Sequence, residues 1–305
     1  MKRWVLFFAM NMIFMITITT ICHLLGIDVY LHDIGQNYTS LFIFCAIWGF
    51  AGSFLSLFCS KWMAKRMMGV EILEENGPHS NLVHRVHAMA KKAGLPKMPE
   101  VGIYESRDLN AFATGPSRSN SLVAVSTGLL HNMREDELDG VLAHEVAHIA
   151  NGDMVTMTLL QGVMNTFVMF FARVAVMIID NAMRGGDDRR GGLGFFAQFM
   201  LIQFFQVIFG FLAMIPLGWF SRYREYRADA GSAKLVGPHK MIAALQKLKI
   251  HYEAVVSNAQ NREEMAREPQ GLAAMKISGK RGFLALISTH PPLEDRIAAL
   301  KGVRL

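Results

Sequence analysis

Residues 132–153, NMREDELDGVLAHEVAHIANGD, decide how this chain is read. The stretch carries the marks of one helix. Asn132 is placed to cap it, with Glu135 three residues on completing a capping-box pattern. Glu135, Asp136 and Glu137 load the first turn with acid, where the helix dipole favours it. Leu138, Val141, Leu142 and Ile149 recur at helical spacing, and Asn151 with Gly152 supplies a stop. His144 and His148 therefore project from one face, one turn apart. Two imidazoles so placed suit one tetrahedral zinc ion. Glu145 falls beside such an ion rather than on it, where a carboxylate takes a proton from water. The rival account is two ordinary histidines on a helix. An HExxH match arises by chance on the order of once in a hundred chains, so the motif needs support from elsewhere.

A zinc site that does chemistry needs three protein ligands and one open position. After His148 the chain reads IANGD, so no third histidine follows at the spacing HExxHxxGxxH. A carboxylate from another helix is the remaining option. Residues 219–237, WFSRYREYRADAGSAKLVG, place Glu225 and Asp229 four apart on one face of a helix that Gly237 and Pro238 end. Glu225 is the expected third ligand. Asp229 is the expected supporting carboxylate, orienting a ligating histidine through its other nitrogen. Taken alone, an exposed helix with charge pairs to Arg222, Arg224 and Arg227 would be the better account. The HEVAH stretch tips the balance toward the ligand.

Apolar runs dominate the rest. The 305 residues are 52% hydrophobic and 18% charged, against about 25% charged in a soluble domain. Residues 4–25 hold no Asp, Glu, Lys or Arg and are long enough to cross a bilayer core. A second charge-free run covers 34–60, with a span expected at about 38–60. Lys2 and Arg3 lie before this pair, and Lys61, Lys65 and Arg66 after it; Asp28 and Asp33 lie between. Cationic flanks stay in the cytoplasm, so both ends of the hairpin belong there. A third span is expected over about 154–179, interrupted by Arg173, which is costly in lipid unless it snorkels or pairs. A fourth is expected over about 193–220. The glycine-rich linker RGGDDRRGG joins them, and length favours two crossings over a hairpin that only partly inserts.

The expected organisation is a membrane hairpin in 1–61, a first piece of soluble domain in 62–153, a second hairpin in 154–221 and a second soluble piece in 222–305. The net charge of +6 points to an anionic membrane surface, and no nucleic-acid motif appears. Cys22, Cys45 and Cys59 all lie in apolar runs and form no CxxC pair, so they read as small hydrophobes.

Four segments, NAFATG, HEVAHIANGD, SRYREYRADAGSA and STHPPLEDR, occur in this order along the chain. With the four apolar runs they resemble the HtpX-type integral-membrane zinc metallopeptidases, bacterial heat-shock proteases, over essentially the whole length. More distantly the chain is similar to the CaaX prenyl endopeptidases, which have more spans. The resemblance implies a mainly helical multi-span membrane protein. Its cytoplasmic domain would be a gluzincin-like α+β metalloprotease carrying a small substrate-binding sheet. It implies His144, His148 and Glu225 as ligands of one zinc ion per subunit and Glu145 as general base. Asp229 would support His144. Asn110, Ala111 and Phe112 resemble the edge strand that pairs with substrate backbone. His290 resembles a residue that stabilises the oxyanion, and Arg296 one that supports the site. Without the resemblance, His290 is a residue in a helix-start loop and Arg296 a solvated charge.

The implied role is quality control of misfolded or damaged membrane proteins at the bacterial inner membrane, with the active site facing the cytoplasm. The implied partners are the lipid bilayer, membrane-protein or unfolded polypeptide substrates, and other membrane quality-control proteases. Two alternatives stand beside it: processing of a modified C-terminus, as in the CaaX enzymes, and a non-enzymatic metal-binding membrane protein.

Overall fold

The computed structural model describes residues 38–184, 192–265 and 289–302. The expected span at 4–25, the charges at Lys2, Arg3, Asp28 and Asp33, Cys22 and residues 185–191 of the linker lie outside the described residues. The helices are α1 (Tyr38–Met67), α2 (Ser80–Lys92), α3 (Thr127–Asn132), α4 (Glu135–Asn151), α5 (Asp153–Arg184), α6 (Phe195–Val236), α7 (Pro238–Met265) and α8 (Leu293–Gly302). The strands are β1 (Glu71–Ile72), β2 (Glu100–Tyr104), β3 (Ala111–Ser117) and β4 (Asn120–Ser126). Helices α1, α5 and α6 are each long and apolar enough to cross a membrane. The chain divides into two compact units, one of 1–55 and 159–213 and the other of 56–158 and 214–305.

In the first unit, α1 and α5 pack through small residues. A Cβ on Gly49 would stand 2.7 Å from the Thr166 backbone nitrogen, and one on Gly162 would stand 2.5 Å from the Phe50 ring. Small residues let two backbones approach, which is how helices associate where lipid removes the hydrophobic drive. Asn165 Nδ2 donates to Ser53 Oγ across this contact at 3.3 Å. Leu41, Cys45 and Met169 form the buried cluster beside it. Arg173, the charge within the apolar run, is buried here. Its Nη1 donates to the Met169 carbonyl and its guanidinium lies 5.8 Å from the centre of the Phe44 ring.

The second unit holds a four-stranded mixed sheet in the order β1-β2-β4-β3. β2 and β4 run parallel; β1 and β3 are antiparallel to their neighbours. β4 is buried on both faces because its alternate residues serve two clusters. Val123 and Val125 meet Val83, Val86 and Ala90 of α2 and Leu142 and Val146 of α4. Leu122 and Ala124 meet Tyr104 and Ala64 on the other side. Helix α7 crosses α4 closely: a Cβ on Gly140 would stand 2.6 Å from the Lys240 carbonyl oxygen. Helix α8 adds Leu300 to Met241, Leu245 and Ala233.

Helix α4 starts later than the capping pattern suggests. Asn132 ends α3, where its Nδ2 donates to the Gly128 carbonyl. Arg134 is the N-cap, and Glu137 accepts both its backbone N–H and its guanidinium. The pattern is displaced because Ser126 caps a separate short helix just upstream, accepting from Leu129 N–H. Gly152 ends α4 in the left-handed region at φ 69°, a conformation glycine adopts without a Cβ penalty. α5 opens at the next residue.

Adding a branched side chain at the α1–α5 contact should overpack it. Gly49→Val is expected to lower stability by about 1–3 kcal/mol, read as a lower melting temperature in detergent. Gly210→Ala, which meets open space, should leave it unchanged. Equal melting of the two variants would contradict this packing.

Candidate metal centre

α4 brings His144 and His148 together by helical spacing alone. Their Nε2 atoms lie 3.1 Å apart, with the rings nearly perpendicular at 87°. Glu225, from α6, completes a triangle. Its Oε2 is 3.5 Å from His144 Nε2 and its Oε1 is 3.4 Å from His148 Nε2. Ligand atoms held about 2.0–2.2 Å from one ion at tetrahedral angles stand roughly 3.3–3.6 Å apart. The observed edges are close to that, and the three donors form one group able to hold a metal ion.

The donor chemistry fits as well. His144 Nδ1 lies 2.9 Å from Asp229 Oδ1, and His148 Nδ1 lies 2.6 Å from Asp153 Oδ2. A carboxylate at Nδ1 keeps the ring proton there and leaves the Nε2 lone pair facing inward. Two such nitrogens and a carboxylate then point electron pairs at one place, and that is the donor set of a divalent cation.

Arg296 of α8 stabilises this arrangement from behind. Its Nε and Nη2 donate to the two oxygens of Asp229 at 2.8 and 2.6 Å, and its Nη1 lies 3.3 Å from Glu225 Oε2. The pair is bidentate and buried, the geometry in which a guanidinium fixes a carboxylate most firmly. His290 reaches the same carboxylate: its Nδ1 is 3.0 Å from Glu225 Oε2, while its side chain stays 67% exposed. Glu145 follows His144 on α4 and is half-buried.

Ala111 and Phe112 open β3, the last strand of the sheet, and Asn110 immediately precedes it. Ala111 and Phe112 pair with Val125 and Ala124 of β4, and β3 also packs against α4. Asn110 is fixed in place: it exchanges hydrogen bonds with Ser126, and its Nδ2 donates to the Tyr104 hydroxyl at 2.8 Å. The structure thus gathers His144, His148, Glu225, Asp229, Arg296 and His290 into one cluster, with Glu145 beside it and the edge strand packed on the same helix.

Sequence reasoning missed Asp153, which follows the helix stop at Asn151 and Gly152. It is 1% exposed and makes the shortest contact to either histidine. The signal was its place one residue after Gly152, where a left-handed turn brings the next side chain back toward the last helical turn. Arg224 was also read only as a surface charge. Its Nη1 donates to the Asp153 carbonyl at 3.2 Å, joining the glutamate helix to the end of the histidine helix.

Hydrolysis by a metal in a membrane protein is the class these parts define. The chain belongs to peptidase family M48, whose profile residues 78–304 match. It is 48% identical over 303 residues to Protease HtpX of Shewanella sp. (strain W3-18-1), with 99% of each chain covered. To Protease HtpX of Shewanella loihica it is 48% identical over 305 residues, again 99% of each. Among solved structures, the crystal structure of S. mikatae Ste24p superposes with a TM-score of 0.59 at 19% identity. That match covers 94% of this chain and 64% of Ste24p, so the chain spans less than two thirds of that structure and the likeness is one of fold. The chain is an integral membrane metalloprotease, and its substrates are polypeptides.

Two outcomes test this geometry. Asp153→Asn should weaken metal affinity by roughly 10–100-fold, measured by competition with a chromogenic chelator; unchanged affinity would remove Asp153 from the site. In the metal-free protein, burial pushes the His148 imidazole down, but its bonds to Asp153 and Glu225 outweigh that and raise its pKa to about 9. The protonated ring therefore stabilises the metal-free fold fully below about pH 6.5, and this contribution is lost as pH rises through about 9. Loading the stripped protein at pH 7.5 must displace that proton. Titration calorimetry should show a heat that varies with the ionisation enthalpy of the buffer, whereas a buffer-independent heat would contradict the assignment.

Proposed function

We propose that this chain is a zinc endopeptidase of the bacterial cytoplasmic membrane that cuts misfolded or damaged membrane proteins, with its site facing the cytoplasm and one zinc ion per subunit. The observation that carries the reading is the His144–His148–Glu225 triangle. Its helices favour substrates in or beside the bilayer. α5 starts five residues after His148, and α6 runs unbroken from Phe195 to Val236, bearing both a long apolar run and Glu225. In this layout the hairpin in 1–61 precedes one soluble domain made of 62–153 and 222–305, and the hairpin in 154–221 interrupts it. Lys61, Lys65 and Arg66 at the end of α1 support the cytoplasmic side. The full-length likeness to proteins named Protease HtpX supports proteolysis, and cooperation with other membrane quality-control proteases fits the same role.

Zinc, when bound, supplies a Lewis acid that activates water and polarises the scissile carbonyl. His144, His148 and Glu225 would hold it. Asp229 and Asp153 fix the two rings, and Arg296 fixes Asp229. Glu145 takes a proton from the attacking water as its oxygen bonds to the carbonyl carbon. It then hands that proton to the amide nitrogen as the C–N bond breaks, leaving a new carboxyl group and a new amine. His290, at the exposed side of Glu225, directs an N–H at the carbonyl oxygen as negative charge gathers there. The substrate backbone lies as an added strand along the edge segment that Asn110, Ala111 and Phe112 form; Asn110 is tied to Ser126, so the main-chain hydrogen bonds come from Ala111, which faces the open edge.

Glu145→Gln should retain zinc and lower kcat by roughly 10²–10⁴-fold, while Glu225→Ala should lose both metal and cleavage. Metal analysis of the purified detergent-solubilised chain and cleavage of an unfolded membrane protein read the two effects. A zinc-loaded Glu145→Gln protein cutting at the wild-type rate would sink the mechanism. Cleavage confined to a prenylated C-terminus would instead favour the CaaX-type reading.

A further inference from the structure

A cavity of about 300 Å³ in the second unit is lined by Asp108, Leu109, Leu248, His251, Tyr252 and Leu293. None of these residues takes part in the metal group. Two segments near the group border it, one leading into β3, which packs on the histidine helix, and one following His290, which contacts Glu225. Leu109 immediately precedes Asn110 and the edge strand. Leu293 comes three residues after His290, so their Cα atoms are at most about 11 Å apart.

The core locates the cavity further. Leu109 and Leu248 pack on the cluster that holds Leu142, Ala143 and Val146, the residues interleaved with the histidines. Leu293 packs on the cluster that holds Ala233 of the glutamate helix. The cavity therefore lies between the cluster under the histidine helix and the cluster that α7 and α8 form with Ala233.

We infer that this cavity is a subsite for one large apolar side chain (Leu, Met or Phe) of a polypeptide substrate laid along β3. The inference rests on the proposed strand pairing. An extended peptide on an edge strand turns alternate side chains to the same side, and pockets along that side set its specificity. A chain continuing past Ala111 meets Leu109 and its cavity within about two residues. Three leucines form the apolar lining. The carboxylate of Asp108 at the rim repels an acidic side chain, and the exposed ring of Tyr252 offers a face to an apolar one. Substrates chosen this way are segments that a folded protein buries, so the subsite would read unfolding through an exposed apolar residue.

The test uses the full-length, zinc-loaded Glu145→Gln chain in detergent, which binds peptides without cutting them. Fluorescence anisotropy compares labelled peptides in which each position in turn is Leu, Phe, Ala or Asp. At one fixed position Leu or Phe should bind on the order of tenfold tighter than Ala, with Asp weakest. Leu248→Trp, which fills the cavity, and Tyr252→Ala, which opens its exposed rim, should each bring that ratio close to one while binding of the Ala peptide stays unchanged. Equal binding of Leu and Ala at every position would overturn the subsite, as would a ratio unchanged in both variants. Failure of the wild-type chain to cut the tightly bound peptide would count against the proposed function and leave the subsite standing.

Discussion

Two buried imidazole nitrogens face each other at 3.1 Å, and most of the second unit is arranged so that they can. Each Nδ1 is committed to a carboxylate, so both inward nitrogens carry lone pairs. Lone pairs at that distance repel unless a proton or a cation lies between them. A proton on either ring relieves this, and the bonds of His148 to Asp153 and Glu225 raise its pKa to about 9 against the opposing effect of burial. A metal ion relieves it better, because Glu225 supplies the third corner of a tetrahedral face. The supports then make sense as a hierarchy. Arg296 shares its one positive charge between Asp229 and Glu225, so the three acids of the cluster, Asp153, Asp229 and Glu225, do not face one another uncompensated. Burial makes each of these contacts strong, and it makes the loss of any one partner expensive.

Much of this was legible in the sequence because local spacing fixed it. Residues four apart on a helix share a face, so His144 with His148 and Glu225 with Asp229 could be read as pairs before any fold was known. With no third histidine at HExxHxxGxxH spacing, a carboxylate was the donor left for the third position. The helical apolar runs were equally plain, since crossing a bilayer requires a length that composition alone reveals. Arg296 and His290 were different. Their place depends on α8 docking against α7 at the far end of the chain, and no local pattern reports such a contact. Only resemblance to a family pointed to them.

What escaped sequence reading escaped for a physical reason. Asn132 has the right chemistry for an N-cap and the right acid three residues on, yet the competing cap at Ser126 forms a short helix that uses it up. Asp153 was hidden because its role is created by the turn before it, and a turn is read as an ending. The sheet was only hinted at. NAFATG signals an edge strand by resemblance, but the parallel pairing of β2 with β4 joins segments about twenty residues apart and leaves no periodic trace. The close approach of α1 and α5 through Gly49 and Gly162 was also invisible, because a glycine in an apolar run looks like any other small residue there.

The junction at Gly152 has one more consequence. α4 ends and α5 begins with a single residue between them, and both sides of that residue hold the same histidine: His148 is on one, Asp153 on the other. Such a joint tolerates changes of side chain better than changes of count. One extra residue there would turn the start of α5 by about 100° around its own axis and carry Asp153 away from the ring it steadies. The five-residue interval from His148 to Asp153 is thus a length standard, and an insertion or deletion inside it would unmake the site while leaving every helix intact.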